Sequence, residues 1–355
     1  MSLLAVDAHR LQRAKRAFTT RHVRPEAMAR LLTSATSPRP GDFVLARVGH
    51  VSKHRRIELP NGRRATLFPD DEIVVCYGHR YAPDQFEAEV PSDLGECHLV
   101  AGGGVAARMR SKHASCAPPT TIVPVGLVAT ADGKRVNLRD WALPAATHAG
   151  SFPPIVAVLG TAMNSGKTDT AVHLIRGLVR AGYAVGAAKV TGTGSGQDLW
   201  LMADAGASPA LDFTTAGHAS TYLLDPGEVI RVFQTLTSHL AAQPVDAIVL
   251  EVADGVFQAE TAALISSAAF AERVGGVVFA ASDALGAVAG VTRLKSLGLP
   301  VIAAGGCLTR SPLAIREAEQ ALDLPVLGRA ALSEPALAAQ LVPVPSRTHD
   351  GVSAA

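Results

Sequence analysis

The stretch IVAVLGTAMNSGKT, Ile155 to Thr168, decides the fold. Five apolar, β-prone residues (Ile155, Val156, Ala157, Val158, Leu159) run into Gly160. Small polar residues follow, and the stretch closes on Gly166-Lys167-Thr168. Beyond it, Asp169 to Arg180 carries apolar residues at Ala171, Leu174, Ile175, Leu178 and Val179, the spacing of a helix with one buried face. Strand, glycine loop, Gly-Lys-Thr and helix is the order that a phosphate cradle needs. Backbone N–H groups of the loop and of the first helical turn converge on one point and carry partial positive charge there. The sequence predicts a nucleotide-phosphate site made by Gly160, Thr161, Asn164, Ser165, Gly166, Lys167 and Thr168. Lys167 reaches the outer phosphates and the Thr168 hydroxyl ligates Mg²⁺. The spacing is unusual. Five residues separate Gly160 from Gly166 where four are common, and position 161 is Thr.

Outward from that loop the pattern alternates strand and helix. Apolar strands are predicted at 155–159, 184–188, 246–250, 275–281, 300–304 and 325–327, with helices between them. Such strands imply a parallel sheet covered by helices on both faces, with right-handed crossovers. Ligands then bind beyond the C-terminal strand ends, where the Gly160 loop lies.

Three further elements carry chemistry. Val245 to Leu250 ends in Glu251, followed by Val252-Ala253-Asp254-Gly255. A carboxylate ending a strand beside a phosphate loop suits a Mg²⁺-holding or water-positioning acid. Glu251 is the first candidate and Asp254 the second, although such a carboxylate can also be a simple strand-end cap. Lys189 ends another strand and precedes Thr191-Gly192-Thr193-Gly194-Ser195-Gly196-Gln197-Asp198, flexible donors suited to an anionic substrate or a transferred phosphoryl group. Asp198 is a candidate for metal or a substrate amine. Asp212, before Thr214-Thr215, is a further metal candidate, and His218 an acid–base candidate or a hydrogen-bonded structural residue.

Here the chain resembles a known family. The Gly-Thr loop at 160–168, Lys189, Glu251 to Gly255, Ala284-Leu285-Gly286-Ala287-Val288 and Pro325-Val326-Leu327-Gly328 are together similar to the dethiobiotin synthetase-like P-loop proteins over about 155–330. Asn-Ser-Gly-Lys-Thr also looks like the loop of the molybdopterin-guanine dinucleotide accessory protein. The first resemblance implies ATP and Mg²⁺ chemistry on a small carboxylate, carbamate or amine. This sequence departs from it where Val190 follows Lys189 in place of Pro, and where Val-Ala-Asp follows Glu251, both beside the substrate. The layout is also similar to bacterial P-loop proteins with an added N-terminal domain, some assigned to D-amino-acid acylation. A guanine-reading Asn-Lys-x-Asp is absent, so ATP is the expected nucleotide.

The first half reads differently. Residues 2–38 carry helical spacing at Leu11, Ala14, Ala17 and Phe18 and are basic through Arg10, Arg13, Lys15, Arg16, Arg21 and Arg24. They form either a solvated helical face or an arm for an acidic partner. From Gly41 strands are predicted: FVLARVGHV, a hairpin about Pro60-Asn61-Gly62, EIVVCYG, and segments at 97–101, 121–128 and 135–138. The similar starts Pro-Gly-Asp-Phe-Val-Leu and Pro-Asp-Asp-Glu-Ile-Val suggest a small barrel. The organisation expected is a helical segment 1–40, a mostly-β domain 41–148, a P-loop domain 149–345 and a frayed tail 346–355.

Three of the four cysteines lie in Cys76-x-x-His79, Cys97-His98 and His113-x-x-Cys116. Cys97, His113 and Cys116 are candidate Zn²⁺ ligands, the alternative being buried thiols with unrelated histidines. A chain of 355 residues with 48% hydrophobic and 18% charged residues supports a large core. A net charge of +2 gives no general pull toward nucleic acid or membrane, and no apolar run approaches the ~20 residues of a spanning helix. Without an export signal the cysteines read as thiols of a cytoplasmic protein. The expectation is an α/β enzyme, a ligase or kinase, that activates a small acid or amine with ATP and Mg²⁺ through Lys167, Lys189 and Glu251. It takes a small-molecule substrate and no nucleic acid or membrane partner, and assembles as a homo-oligomer. The alternatives are a nucleotide-hydrolysing accessory protein for metal or cofactor delivery, and an acyltransferase-type relative.

Overall fold

The computed structural model describes residues 3–5, 8–33, 36–145, 148 and 150–343; the tail expected to fray lies outside them from 344 onward. The first half is built of strands: β1 (Leu3–Ala5), β2 (Lys15–Arg16), β3 (Arg30–Leu32), β4 (Phe43–Val48), β5 (Arg56–Glu58), β6 (Arg64–Thr66), β7 (Glu72–Tyr77), β8 (Arg80–Tyr81), β9 (Phe86–Glu89), β10 (Cys97–Ala101), β11 (Val105–Lys112) and β12 (Thr120–Ala129). Five of them close a ring. β12 pairs with β4, β4 with β7, β7 with β11, β11 with β10, and β10 returns to β12. Alternation along the strands fills the barrel: Val44, Ala46, Val75, Tyr77, Leu99, Ala106 and Ile122 share one core. The opposite faces of β4 and β7, at Phe43, Leu45, Val74 and Cys76, are buried too, under Leu11, Val23, Met28 and Leu31. Cover on both faces is why FVLARV and EIVVCY read as nearly unbroken apolar runs.

That cover corrects the reading of residues 2–38. One helix, α1 (Ala8–Arg13), and two 3-10 turns account for its helical part. Three short strands are also formed: β1 pairs with β3, β3 with β12, and β2 with β7. The apolar spacing fits the barrel's outer face through sheet pairing, which overrides local periodicity. Its cations are largely spoken for within the chain, Arg10 by Glu72, Lys15 by Asp71 and Arg21 by Asp212.

The second half is an α/β layer structure. Its strands are β13 (Ile155–Gly160), β14 (Val185–Lys189), β15 (Ala210–Asp212), β16 (Ala247–Glu251), β17 (Gly276–Ala280) and β18 (Val301–Gly305). Its helices are α2 (Lys167–Arg180), α3 (Gln197–Asp204), α4 (Pro226–Ala241), α5 (Ala259–Ile265), α6 (Ala268–Arg273), α7 (Ala284–Ser296), α8 (Pro312–Ala321), α9 (Arg329–Leu332) and α10 (Pro335–Gln340). The sheet order is β15-β14-β16-β13-β17-β18, and every pairing is parallel. Ile155, Ala157 and Leu159 face a core closed by α4 to α8; Val156 and Val158 face one closed by α2, α3, α9 and α10. The predicted strand at 325–327 is reduced to a single bridge from Val326 to Ala304, while β15 is a strand that sequence reasoning missed. No described helix is long and apolar enough to cross a membrane.

The barrel is packed on the loop that follows β14. Glu58, 4% exposed, accepts from Gly196 N at 2.9 Å and from Trp200 Nε1 at 2.7 Å. Arg64 donates to Gln197 Oε1 at 2.5 Å. Phe18 meets Trp200 edge-on with ring centroids 5.9 Å apart. Gly103 lies so close to Gly194 and Ser195 that a side chain there would collide with backbone.

Candidate functional site

The strand–loop–helix expected at 155–180 is present. β13 ends at Gly160, and α2 begins at Lys167 after Gly166, whose φ of +97° is a left-handed conformation suited to glycine. Gly160 explains the long spacing. A Cβ there would press on the Ser165 hydroxyl, on Ala280 O at 2.8 Å and on Lys167 Cγ at 2.8 Å, so the loop folds back over a residue that has no side chain. Thr161 N donates to Ala280 O at 3.0 Å, and Cys307 N to Ser165 O at 2.9 Å, tying the loop to the ends of β17 and β18. The Ser165 hydroxyl oxygen is buried with no hydrogen-bond partner.

Lys167 is 5% exposed, and its Nζ bonds Ala162 O at 2.7 Å, across its own loop. Burial holds its pKa below that of an ordinary lysine, against the pull of Glu251 and Asp254. The Thr168 hydroxyl lies 3.0 Å from Glu251 Oε1 and 3.3 Å from Asp198 Oδ1. Lys189 pairs with Asp198 and stands 3.7 Å from Glu251 Oε1. Burial alone would lower the Lys189 pKa; the two carboxylates outweigh it and hold the ammonium above its usual range. Glu251 is 2% exposed, burial pushes its carboxyl pKa up, and its Oε2 has no hydrogen-bond partner. Burial likewise raises Asp254, opposed by Lys167, Lys189 and Arg80.

Lys167, Thr168, Lys189, Asp198, Glu251 and Asp254 all line one cavity of about 1110 Å³. Its donor set fits Mg²⁺: the Thr168 hydroxyl and the carboxylates of Asp198 and Glu251, the latter with one buried oxygen left without a partner, all hard oxygen ligands. Among the described residues no three or more His, Cys, Asp or Glu groups converge as a metal cage. Mg²⁺ beside a polyphosphate needs only one or two protein oxygens, the remainder coming from phosphate and water.

Two sets of expected ligands are placed elsewhere. Asp212 ends β15, in register with Lys189, but its Oδ1 accepts from Arg21 at 2.9 Å and from Thr214 N at 3.0 Å. Arg21 neutralises it, Asp198 stands beside Thr168 in its place, and the metal role expected for Asp212 is not carried forward. The zinc expectation also fails on geometry. Cys97 is sealed in the barrel core and Cys116 in a separate core, while His113 is exposed with Nδ1 2.8 Å from Ser115 Oγ. Burial pushes the Cys97 thiol pKa up to about 12, the reverse of what a thiolate ligand needs. His218 is buried 3.7 Å from Glu228, away from the cavity.

The barrel supplies residues that no motif announced. Asp84 accepts from Asn164 Nδ2 at 2.9 Å, so the turn after β8 touches the Gly160 loop itself. Lys53, His54, Arg55, Arg56 and Arg80 line the cavity from the barrel side. The run Lys53-His54-Arg55-Arg56 was the one legible hint, as a cluster of positive charge.

No protein-family model and no curated protein matches this chain. Among solved structures, the signal recognition particle 54 kDa protein of Aeropyrum pernix K1 in complex with GDP is 17% identical with a TM-score of 0.37, over 52% of this chain and 43% of that one. The septum site-determining protein MinD of Pyrococcus horikoshii OT3, complexed with Mg-ADP, is 15% identical with a TM-score of 0.36, over 54% of this chain and 87% of that one. The signal recognition particle receptor FtsY of Elizabethkingia anophelis in complex with GDP is 16% identical with a TM-score of 0.35, over 52% and 59%. The chain thus spans less than half of the first of these and more than four fifths of the second.

Proposed function

We propose that the protein binds a Mg²⁺–nucleoside triphosphate, ATP by the sequence reading, and transfers its terminal phosphoryl group to a small acid or amine. One observation carries this reading. Lys167 and Thr168 open α2 above the Gly160 loop, and Thr168 meets Glu251 and Asp198 in a large cavity open beside them. The loop amides and Lys167 stabilise charge on the transferred phosphoryl; an ammonium held in low dielectric does this with little reorganisation. Thr168, Glu251 and Asp198 would hold Mg²⁺, which supplies neutralisation of the phosphate oxygens. Lys189, fixed between Asp198 and Glu251, keeps those carboxylates oriented and offers its charge to the acceptor side. The acceptor's oxygen or nitrogen bonds to the terminal phosphorus as the bond to the bridging oxygen breaks. An amine acceptor's proton passes to Asp254, a half-buried carboxylate whose raised pKa suits a base, whereas a carboxylate acceptor attacks already ionised and gives up no proton.

The accessory-protein reading loses its main support, because Cys97, His113 and Cys116 do not meet to hold cargo. The test is phosphate release from ATP and GTP, with and without a panel of small carboxylates and amines, in wild type and Lys167→Ala. Acceptor-dependent release that falls about 10²-fold or more in the variant supports transfer. Release that is indifferent to every acceptor restores the accessory reading, and release untouched by Lys167→Ala ends both.

A further inference from the structure

The cavity has two walls of different origin. One is the phosphate loop with the ends of β14 and β16. The other belongs to the barrel, and it is basic: Lys53, Arg55 and Arg56 at the rim and Arg80 deeper in. Lys53, Arg55 and Arg56 are exposed, and among the described residues their charged ends have neither a hydrogen-bond nor an ion-pair partner. Arg80 is the unusual member. It is 7% exposed, its Nε is buried with no hydrogen-bond partner, and its one side-chain bond is from Nη2 to the neutral Gln85 Oε1 at 3.0 Å. No carboxylate among the described residues lies within ion-pair distance of it. Asp254 and Asp84 attract it only from beyond that distance; a buried guanidinium with no hydrogen-bonded counter-ion is unfavourable, and a carboxylate or phosphate arriving from outside would relieve it. Burial lowers its pKa to about 10, which leaves it charged at neutral pH. His54 beside it is neutral, its pKa held at about 4 by burial first and by Arg80 second, with Nδ1 3.1 Å from Leu99 O. The neighbouring imidazole therefore adds no competing charge.

Size and position agree. Single-ligand pockets run to about 300–1,000 Å³, so a cavity of about 1110 Å³ holds a nucleotide with room beyond it. The Asp84–Asn164 hydrogen bond sets the turn after β8 against the Gly160 loop, and Arg80, four residues before Asp84, lines the same space from the barrel. We propose that Arg80, with Arg56 and Lys53 at the rim, forms an oxyanion subsite that grips a carboxylate or phosphate group of the acceptor. The barrel thereby reads the second substrate while the parallel-sheet half holds the nucleotide. This deepens the function proposed above and rests on it for the nucleotide.

The test is calorimetric titration with succinate and with inorganic phosphate, with and without saturating Mg²⁺ and a non-hydrolysable ATP analogue. The proteins are wild type, Arg80→Gln, Arg80→Lys, Arg56→Gln and Lys167→Ala. The expected result is that one of the two anions binds the nucleotide-loaded wild type. Arg80→Gln weakens that binding at least tenfold, Arg80→Lys less, and Arg56→Gln two- to threefold, while analogue affinity stays within twofold. Succinate binding identifies a carboxylate acceptor and phosphate binding a phosphorylated one. If Arg80→Gln does not fold, Arg80→Lys and Arg56→Gln decide. The proposal is overturned if neither anion binds the loaded protein, if the Arg80 and Arg56 variants bind like wild type, or if binding is abolished by Lys167→Ala and competes with the analogue, which places the anion on the phosphate loop. Failure of the wild type to bind the analogue sinks the proposed function instead; an Arg80-dependent anion isotherm that survives Lys167→Ala would still uphold the subsite.

Discussion

Replacing Glu58 by Ala tests whether the barrel organises the parallel-sheet half. Its carboxylate takes two hydrogen bonds across the junction, from Gly196 N at 2.9 Å and Trp200 Nε1 at 2.7 Å. Gly196 is buried and Trp200 half-buried, so removing the acceptor leaves two donors with little access to water. Each orphaned donor costs about 1–3 kcal/mol, giving a gross loss of about 2–6 kcal/mol. Relief from burying the carboxylate returns about 1–2 kcal/mol of that, leaving a net loss of about 1–4 kcal/mol. Glu58→Gln keeps one acceptor and is expected to lose about 1–2 kcal/mol. Urea unfolding followed by tryptophan emission, in a Trp141→Phe background so that Trp200 alone reports, measures both. The same change frees the start of α3, one residue before Asp198, so affinity for a fluorescent Mg²⁺–nucleotide should weaken about three- to tenfold, or ~1 kcal/mol. A Glu58→Ala protein within 0.5 kcal/mol of wild type would refute the stability reasoning. A clear stability loss with unchanged nucleotide affinity would refute the coupling to the site.

Other consequences can be checked separately. His218, buried with its pKa lowered from 6.5 to about 4, is neutral in both states above pH 6.5; as pH falls toward 4 the unfolded chain takes up a proton that the folded one refuses, so stability falls. At pH 5 this amounts to about 2 kcal/mol relative to pH 8, and unfolding measured at both values should show a smaller pH difference in His218→Asn. Cys76, Cys97 and Cys116 are buried while Cys307 is half-exposed on the cavity wall, so native thiol titration should show one fast group, lost in Cys307→Ser and slowed by Mg²⁺–nucleotide; two or more fast thiols would contradict the packing. Gly160→Ala should abolish nucleotide binding, because its methyl meets Ala280 O at 2.8 Å as well as the Ser165 hydroxyl; binding within threefold of wild type would show that the loop yields.

What was legible in the sequence was local. β13, its glycine loop and α2 are contiguous, and each residue's role follows from neighbours within a dozen positions. Glu251 was readable because a strand end beside a phosphate loop is a position, not a contact. Asp212 looked equally apt, but its partner Arg21 lies 191 residues away, and no spacing rule carries that information. The same limit hid Glu58, Asp84 and Arg80, which enter the cavity or its border only because the barrel docks there. The N-terminal stripe misled for a related reason: Leu11 sits on the short helix α1, while Leu31 reaches the same buried face from a strand paired with β12. The Cys/His spacings suggested a cage until strand alternation sent Cys97 into one core and Cys116 into another.

Helix α3 is preceded by Gly196 as its N-terminal cap, which brings no side chain to the free N–H groups of the first turn. Glu58 meets that need from another part of the chain, an anion set at the positive end of a helix that does not encode its own terminus. The two halves are therefore poor candidates for shuffling as independent modules. A recombinant joining this parallel-sheet half to a different partner would inherit the Asp198 helix with its opening turn unsupported, unless the newcomer also presented an acceptor at the same spot. Grafting experiments on this scaffold should transfer the hairpin bearing Glu58 together with the loop it supports.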